Sequence, residues 1–253
     1  MHHLNVALIV FACVFCSALL GLYLRTRLPE HHLSDDSIGV VKLATGLIAT
    51  MAALVLGLLI SSAKSSFDTV NAEVTHEAAN VILLDRVLAR YGPETQEIRG
   101  LLKQTVTTGL QQVASGDPSQ LARMHSPEAL KRGEYLERKL EELSPQNDLQ
   151  RRLQARAIAM TDNAVAVREL GLLQATGSTP TPLLITLVLW LCIIFGAFGL
   201  FTPPNATVTI ALLLGALSTS GAIFLILEMN TPLDGLVTVS LSPMREALDV
   251  LGQ

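Results

Sequence analysis

The sequence predicts an all-α integral membrane protein, with four transmembrane helices and a helical-bundle domain inserted between the second and the third. Three observations carry that prediction. Half of the 253 residues are hydrophobic, only 16% are charged and mean hydropathy is positive, a balance suited to lipid. Four apolar runs are long enough to cross a bilayer core, which takes about 20 helical residues rising about 1.5 Å each. The charges gather elsewhere: 14 of the 18 Lys and Arg and 15 of the 22 Asp and Glu lie between Ser62 and Thr181.

The first run, residues 5–24, stops at Arg25 and Arg27. No Lys or Arg precedes it and no small-x-small site comes before Arg25, so it reads as a retained span rather than a secretory signal. The second run covers 38–61, the third 182–201 and the fourth 206–228. The chain therefore divides into a first transmembrane pair (1–61), a water-facing helical domain (62–181), a second pair (182–229) and a tail with a short helix (230–253). Four crossings put both termini and the inserted domain on one side, and the loops at 25–37 and 202–205 on the other. Lys and Arg near the span ends are balanced between the two sides, so they do not choose an orientation. The thiol-free, finely charged composition of the inserted segment predicts that it faces the cytoplasm.

Within that segment the apolar spacing is helical throughout. Phe67, Val70, Val74, Val81, Leu84, Leu88 and Tyr91 alternate steps of three and four, with Glu77 in one slot, the pattern of a coiled-coil seam. The second span is thus expected to continue as one long helix and to carry contacts between subunits through Phe67, Val70, Val74, Glu77, Val81, Leu84 and Leu88. A carboxylate in such a seam tends to fix register and subunit number rather than add stability, so Glu77 is expected to meet a polar or basic group. Tyr91-Gly92-Pro93-Glu94 closes this helix and opens the next, because Gly suits the position after a helix and Pro a first turn. Ile98, Leu102, Val106, Leu110 and Val113 then share one face. Ser126-Pro127-Glu128 and Ser144-Pro145 read as further helix starts, and Leu149, Leu153, Met160, Val167 and Leu170 form a last amphipathic stripe.

The second span carries the most informative pattern. At about 100° per residue, Lys42, Gly46, Thr50, Ala53, Gly57, Ser61 and Lys64 fall within an arc of roughly 100°. Small residues on one face allow close helix packing, and several copies of such a face around an axis leave room for water or ions; the sequence leaves both open. Lys42 and Lys64 stand about 33 Å apart along the helix, one near each end of the strip. Lys42 is shallow enough for its ammonium to reach the headgroups. The fourth span shows a similar strip of Thr207, Ala211, Gly215, Ser218 and Ala222, with Thr219 at its edge. Its mid-span hydroxyls, Ser218 and Thr219, either bond back to their own helix or line a hydrated path. The third span, with Gly196 and Gly199 among bulky residues, reads as a packing or lipid-facing helix.

Several classes of function are excluded or left without support. The near-neutral inserted segment and an aromatic content of 4% offer nothing to nucleic acid. Cys13, Cys16 and Cys192 sit in apolar runs, which predicts buried thiols rather than a disulfide framework or a metal site. His31, His32, Asp35 and Asp36 crowd one short polar loop, where ordinary solvation is the expectation and no resident metal or cofactor is called for. There is no nucleophile elbow, zinc-protease helix, phosphate loop or intramembrane carboxylate pair, so no enzyme is expected. Glu228, at the end of the fourth run, reads as interfacial.

Taken together, Ala63-Lys64-Ser65-Ser66-Phe67-Asp68, Leu84-Asp85-Arg86, Tyr91-Gly92-Pro93-Glu94 and the tail from Leu225 through Asn230-Thr231-Pro232-Leu233-Asp234-Gly235 to Ser242-Pro243 resemble the bestrophin-like domain of bacterial and plant membrane proteins. The tail departs from that pattern at Met229-Asn230, where an acidic residue and an aromatic are expected near the proline. The resemblance implies four spans, a kinship with ion channels, a bacterial inner-membrane location and a cytoplasmic inserted domain. With the strip on the second span, it leads to the expectation of a homo-oligomeric channel in the lipid bilayer whose permeant ion is an anion, drawn by Lys42 and Lys64. The alternative is a membrane-anchored scaffold that conducts nothing and recruits a partner through the inserted bundle and the tail helix.

Overall fold

A computed structural model describes residues 2–29, 35–117, 119–120, 126–175, 181–233 and 235–253; at 2, 35–37, 127–130, 167–175 and 181 it describes the helix but not the side chains. Among the described residues there is no strand. The helices are α1 (His2–Arg27), α2 (Asp35–Tyr91), a 3-10 turn (Pro93–Thr95), α3 (Gln96–Ala114), α4 (Pro127–Glu141), α5 (Asp148–Ala175), α6 (Thr181–Phe201), α7 (Ala206–Met229) and α8 (Ser242–Val250). Four of them, α1, α2, α6 and α7, are long and apolar enough to cross a membrane. The chain forms two compact units, Met1–Ser66 with Ser178–Asn230 and Phe67–Gly177 with Thr231–Gln253.

In the first unit α1 lies against α6 and α7. In lipid no hydrophobic effect drives such contacts, so closeness of approach decides them. A Cβ on Gly21 would fall against the Gly196 carbonyl oxygen, and one on Gly199 against the Ala18 carbonyl oxygen and 2.9 Å from Leu22 N. The two backbones therefore touch at these glycines. Ser17 Oγ donates across the same contact to the Cys192 carbonyl at 2.6 Å, and Arg25 closes the end of the pair by donating from Nη1 to the Leu200 carbonyl at 3.2 Å. Val14, Ala18 and Leu187 are fully buried beside them, and α7 adds Ala216, Ile223 and Ile226. The third span is thus a packing helix, and Asn205 caps the fourth by accepting from Val208 N at 2.8 Å.

The second unit gathers the C-terminal part of α2 with α3, α4, α5 and α8 around Leu88, Leu140, Ala157 and Leu251. The turn after α2 requires glycine, because Gly92 has φ 143°. Thr95, fully buried, secures the turn with Oγ1 2.6 Å from the Leu88 carbonyl and 2.8 Å from that of Gly92. One expected helix start is corrected: α5 begins at Asp148, not at Ser144-Pro145. Asn147 accepts from Gln150 N at 2.9 Å and so supplies the cap, while Ser144 lies outside the helix. Of the last stripe, Leu153 is buried and Leu149 exposed; the side chains of Val167 and Leu170 lie outside the described ones.

Candidate functional site

The strip on α2 is exposed along its whole length. Lys42, Gly46, Thr50, Ala53, Gly57, Ser61 and Lys64 are all exposed, and at one end Lys42 and Gly46 border a cavity against α6. The opposite face, with Thr45, Ala52, Leu59 and Ala63, is the one buried against the unit. A Cβ on Gly46 or Gly57 would meet nothing within 4 Å. The small residues of α2 therefore do not serve packing inside this chain. Beside the strip, Leu43, Leu47, Leu54 and Leu58 are 62–78% exposed and form a bulky arc. One large residue, Ile60, interrupts the strip on its own arc.

Charge and hydrogen-bond donors define what such a strip can hold. Residues 38–64 contain no Asp or Glu, so Lys42 and Lys64 are its only charges. Thr50 Oγ1 donates to the Gly46 carbonyl at 2.9 Å, which removes its proton from any ligand. Among the described residues Ser61 makes no hydrogen bond, and its O–H remains a donor. Cationic ammonium groups and a free hydroxyl on a small-residue face suit an anion better than a cation.

The fourth-span strip is divided. Thr207, Ala211 and Ser218 are exposed, whereas Gly215, Thr219 and Ala222 are half-buried. A Cβ on Gly215 would press on the Phe195 ring at 3.2 Å, and Thr219 Oγ1 lies 3.1 Å from both the Gly215 and Ala216 carbonyls. Thr219 is thus satisfied by its own helix, and Ser218 keeps a hydroxyl that no described residue engages. Glu228, expected at an interface, is buried to 4% exposure.

The seam divides as well. Val81, Leu84 and Leu88 belong to the core of the chain's own second unit, with Leu88 at 1% exposure. Phe67, Val70, Val74 and Glu77 are half-buried. His31 and His32 lie outside the described residues, as do the side chains of Asp35 and Asp36.

Sequence reasoning missed a polar cluster in the second unit. Arg99 grips Asp85 with both ends of its guanidinium, Nε to Oδ1 at 2.7 Å and Nη2 to Oδ2 at 2.8 Å. Arg99 Nη2 also donates to the Gln253 carbonyl at 3.1 Å, and Lys103 Nζ to that of Leu251 at 2.9 Å. Gly252 N approaches Asp85 Oδ2 at 3.4 Å. Burial pushes the Asp85 carboxyl up, but the hydrogen bonds from Arg99 and Gly252 and the charges of Arg99 and Lys103 outweigh it and hold it below the usual carboxylate range. The one sequence signal was Leu84-Asp85-Arg86, an acid placed between buried positions of a seam.

Residues 12–244 match the Bestrophin-like domain in a scan against protein families. The chain belongs to the bestrophin-like family. That match takes in the first membrane helix from residue 12, the other three and the second unit up to residue 244, and with the four apolar helices it makes this a membrane protein. Searches of curated proteins and of solved structures returned no match.

Proposed function

We propose that this bestrophin-like protein is a homo-oligomeric anion channel in which α2 of each copy presents its small-residue strip to a shared axis. The observation that carries this reading is the exposure of Gly46 and Gly57, whose Cβ positions meet nothing in their own chain, while Gly21 of α1 and Gly199 of α6 are pressed against backbone. Copies arranged about an axis enclose a path lined by small side chains, with bulky Leu43, Leu47, Leu54 and Leu58 turned to lipid or to the neighbouring copy. Membership of the bestrophin-like family, with its kinship to ion channels, agrees with this reading. Lys42 and Lys64 sit near the two ends of the strip, where a ring of ammonium groups concentrates anions and repels cations. Half-buried Phe67, Val70, Val74 and Glu77 supply the contact between copies just beyond the span. The inserted domain faces the cytoplasm of a bacterial inner membrane in this reading.

The test is a planar bilayer with the purified protein under a salt gradient. The parent is expected to show currents whose reversal potential lies toward that of the anion, and Lys42→Glu to move it toward that of the cation. Bilayers that stay silent at high protein density overturn the proposal and leave a non-conducting scaffold.

A further inference from the structure

A cavity of about 350 Å³ opens between α2 and α6 at the end of the spans where Arg25 and Thr202 lie. Its volume is at the lower end of the range for small-ligand sites. Lys42, Thr45 and Thr202 line its shallow part, and Ala49, Ala197 and Phe198 its deeper part. Ala49 lies seven residues beyond Lys42, about 10 Å further along the helix and into the bilayer.

Thr45 is the informative side chain. It is 7% exposed, it lines the cavity, and among the described residues its hydroxyl makes no hydrogen bond. A threonine inside a membrane helix ordinarily donates to the carbonyl one turn back, as Thr50 does to Gly46 and Thr202 to Phe198 at 2.8 Å. Thr45, three residues on from Lys42, therefore lines the cavity with a hydroxyl that no described residue engages, and no described residue supplies a partner for the Lys42 ammonium. Arg25, held on the Leu200 carbonyl, brings a second cation to the same last turn of α6.

A mouth with a cation and a hydroxyl donor, over an apolar and aromatic floor, has the polarity of an anionic amphiphile in a bilayer. We infer that the cavity holds an anionic phospholipid from the leaflet opposite to Lys64, its phosphate on Lys42 and Thr45 and an acyl chain along Ala49, Ala197 and Phe198. The phosphate oxygens accept from both groups. This site does not depend on conduction, and its test reads no current.

The full-length protein is extracted from nanodiscs of equimolar phosphatidylglycerol and phosphatidylcholine, and bound lipid is counted by native mass spectrometry. The parent is expected to retain phosphatidylglycerol over phosphatidylcholine by about fivefold, the scale of one lysine acting on an anionic headgroup. Lys42→Gln should return the ratio to that of the bilayer, Thr45→Val should lower it part of the way, and Ala197→Leu, which fills the floor, should expel both lipids. Circular dichroism and elution volume confirm that each variant is folded. Inorganic phosphate in excess should displace nothing. The inference is overturned by retention at the bilayer ratio in the parent, by an unchanged ratio in Lys42→Gln, or by displacement with phosphate, which marks a free-anion site. It is also overturned if Lys42→Gln leaves lipid unchanged and alters the number of subunits, which would place a second copy in the cavity.

Discussion

Gly199 on α6 and Gly57 on α2 are each a glycine in an apolar membrane helix, yet they have opposite surroundings. Gly199 lies where the α1 backbone comes close enough that a Cβ would strike the Ala18 carbonyl; Gly57 has open space where its Cβ would be. The neighbouring hydroxyls divide in the same way. Ser17 crosses to the Cys192 carbonyl, whereas Ser61 on α2 has no partner among the described residues. A small-residue strip on a membrane helix thus does not say what it is for. Where the chain's own helices fill it, it is a packing device, and where they leave it open it is available to another copy, to water or to an ion.

The largest expected effect sharpens this contrast directly. Gly199→Leu drives a side chain into backbone that cannot yield, and should lose about 3 kcal/mol or fail to give folded protein. Gly57→Leu should leave the folded chain's thermal stability in detergent within about 0.5 kcal/mol while abolishing current. Parallel melting curves check both. Equal destabilisation would break the comparison, because Gly57 would then also be packed.

Next in size is the second unit, where polar groups are engaged as fully as at the α1–α6 contact. Arg99→Ala leaves Asp85 buried without its main partner and should cost about 2–3 kcal/mol in denaturant unfolding, less than a wholly enclosed pair because Arg99 keeps 19% of its surface. Asp85 has a folded pKa below its unfolded one. Its contribution is therefore complete above the unfolded value near 4 and is lost as the pH falls through the folded one. Stability of the parent should accordingly drop more steeply than that of Arg99→Ala as the pH is lowered below about 4. Parallel acid titrations of the two would count against the pair.

Smaller effects remain at single hydroxyls. Ser17→Ala should cost about 0.6 kcal/mol, the mean for a hydrogen bond between membrane helices, and Ser61→Ala nothing measurable. Tyr91 is buried, and among the described residues its hydroxyl has no partner, so Tyr91→Phe should be neutral or stabilising by up to about 1 kcal/mol. A clear loss would mean that the hydroxyl has a partner.

The spans and most helix starts were legible because length, hydropathy and capping residues are local signals. Tyr91-Gly92-Pro93-Glu94 ends and begins helices where expected, since the φ of 143° at Gly92 is open to few residues but glycine. What one helix meets on another is not a local property. Ser17 with Gly21 and Cys192 with Gly196 are small-xxx-small pairs as visible as Gly46 with Thr50, yet nothing in the sequence says that the first two face each other and the third faces outward. Asp85 and Arg99 escaped for the same reason. They stand 14 residues apart across a turn, and charges on amphipathic helices are ordinarily solvated. The tail helix reads as amphipathic from its own spacing, but its seat on α3 depends on Lys103 and Arg99 reaching the carbonyls of Leu251 and Gln253.

The central claim is that the small-residue arc of α2, and not the leucine arc beside it, lines the ion path. With Cys13, Cys16 and Cys192 replaced by alanine, single cysteines at Thr50, Gly57 and Leu54 can be treated in the bilayer with a charged, membrane-impermeant thiol reagent while current is recorded. The account predicts rapid change of current at Thr50→Cys and Gly57→Cys and none at Leu54→Cys. Modification at Leu54→Cys with silence at the other two would contradict it.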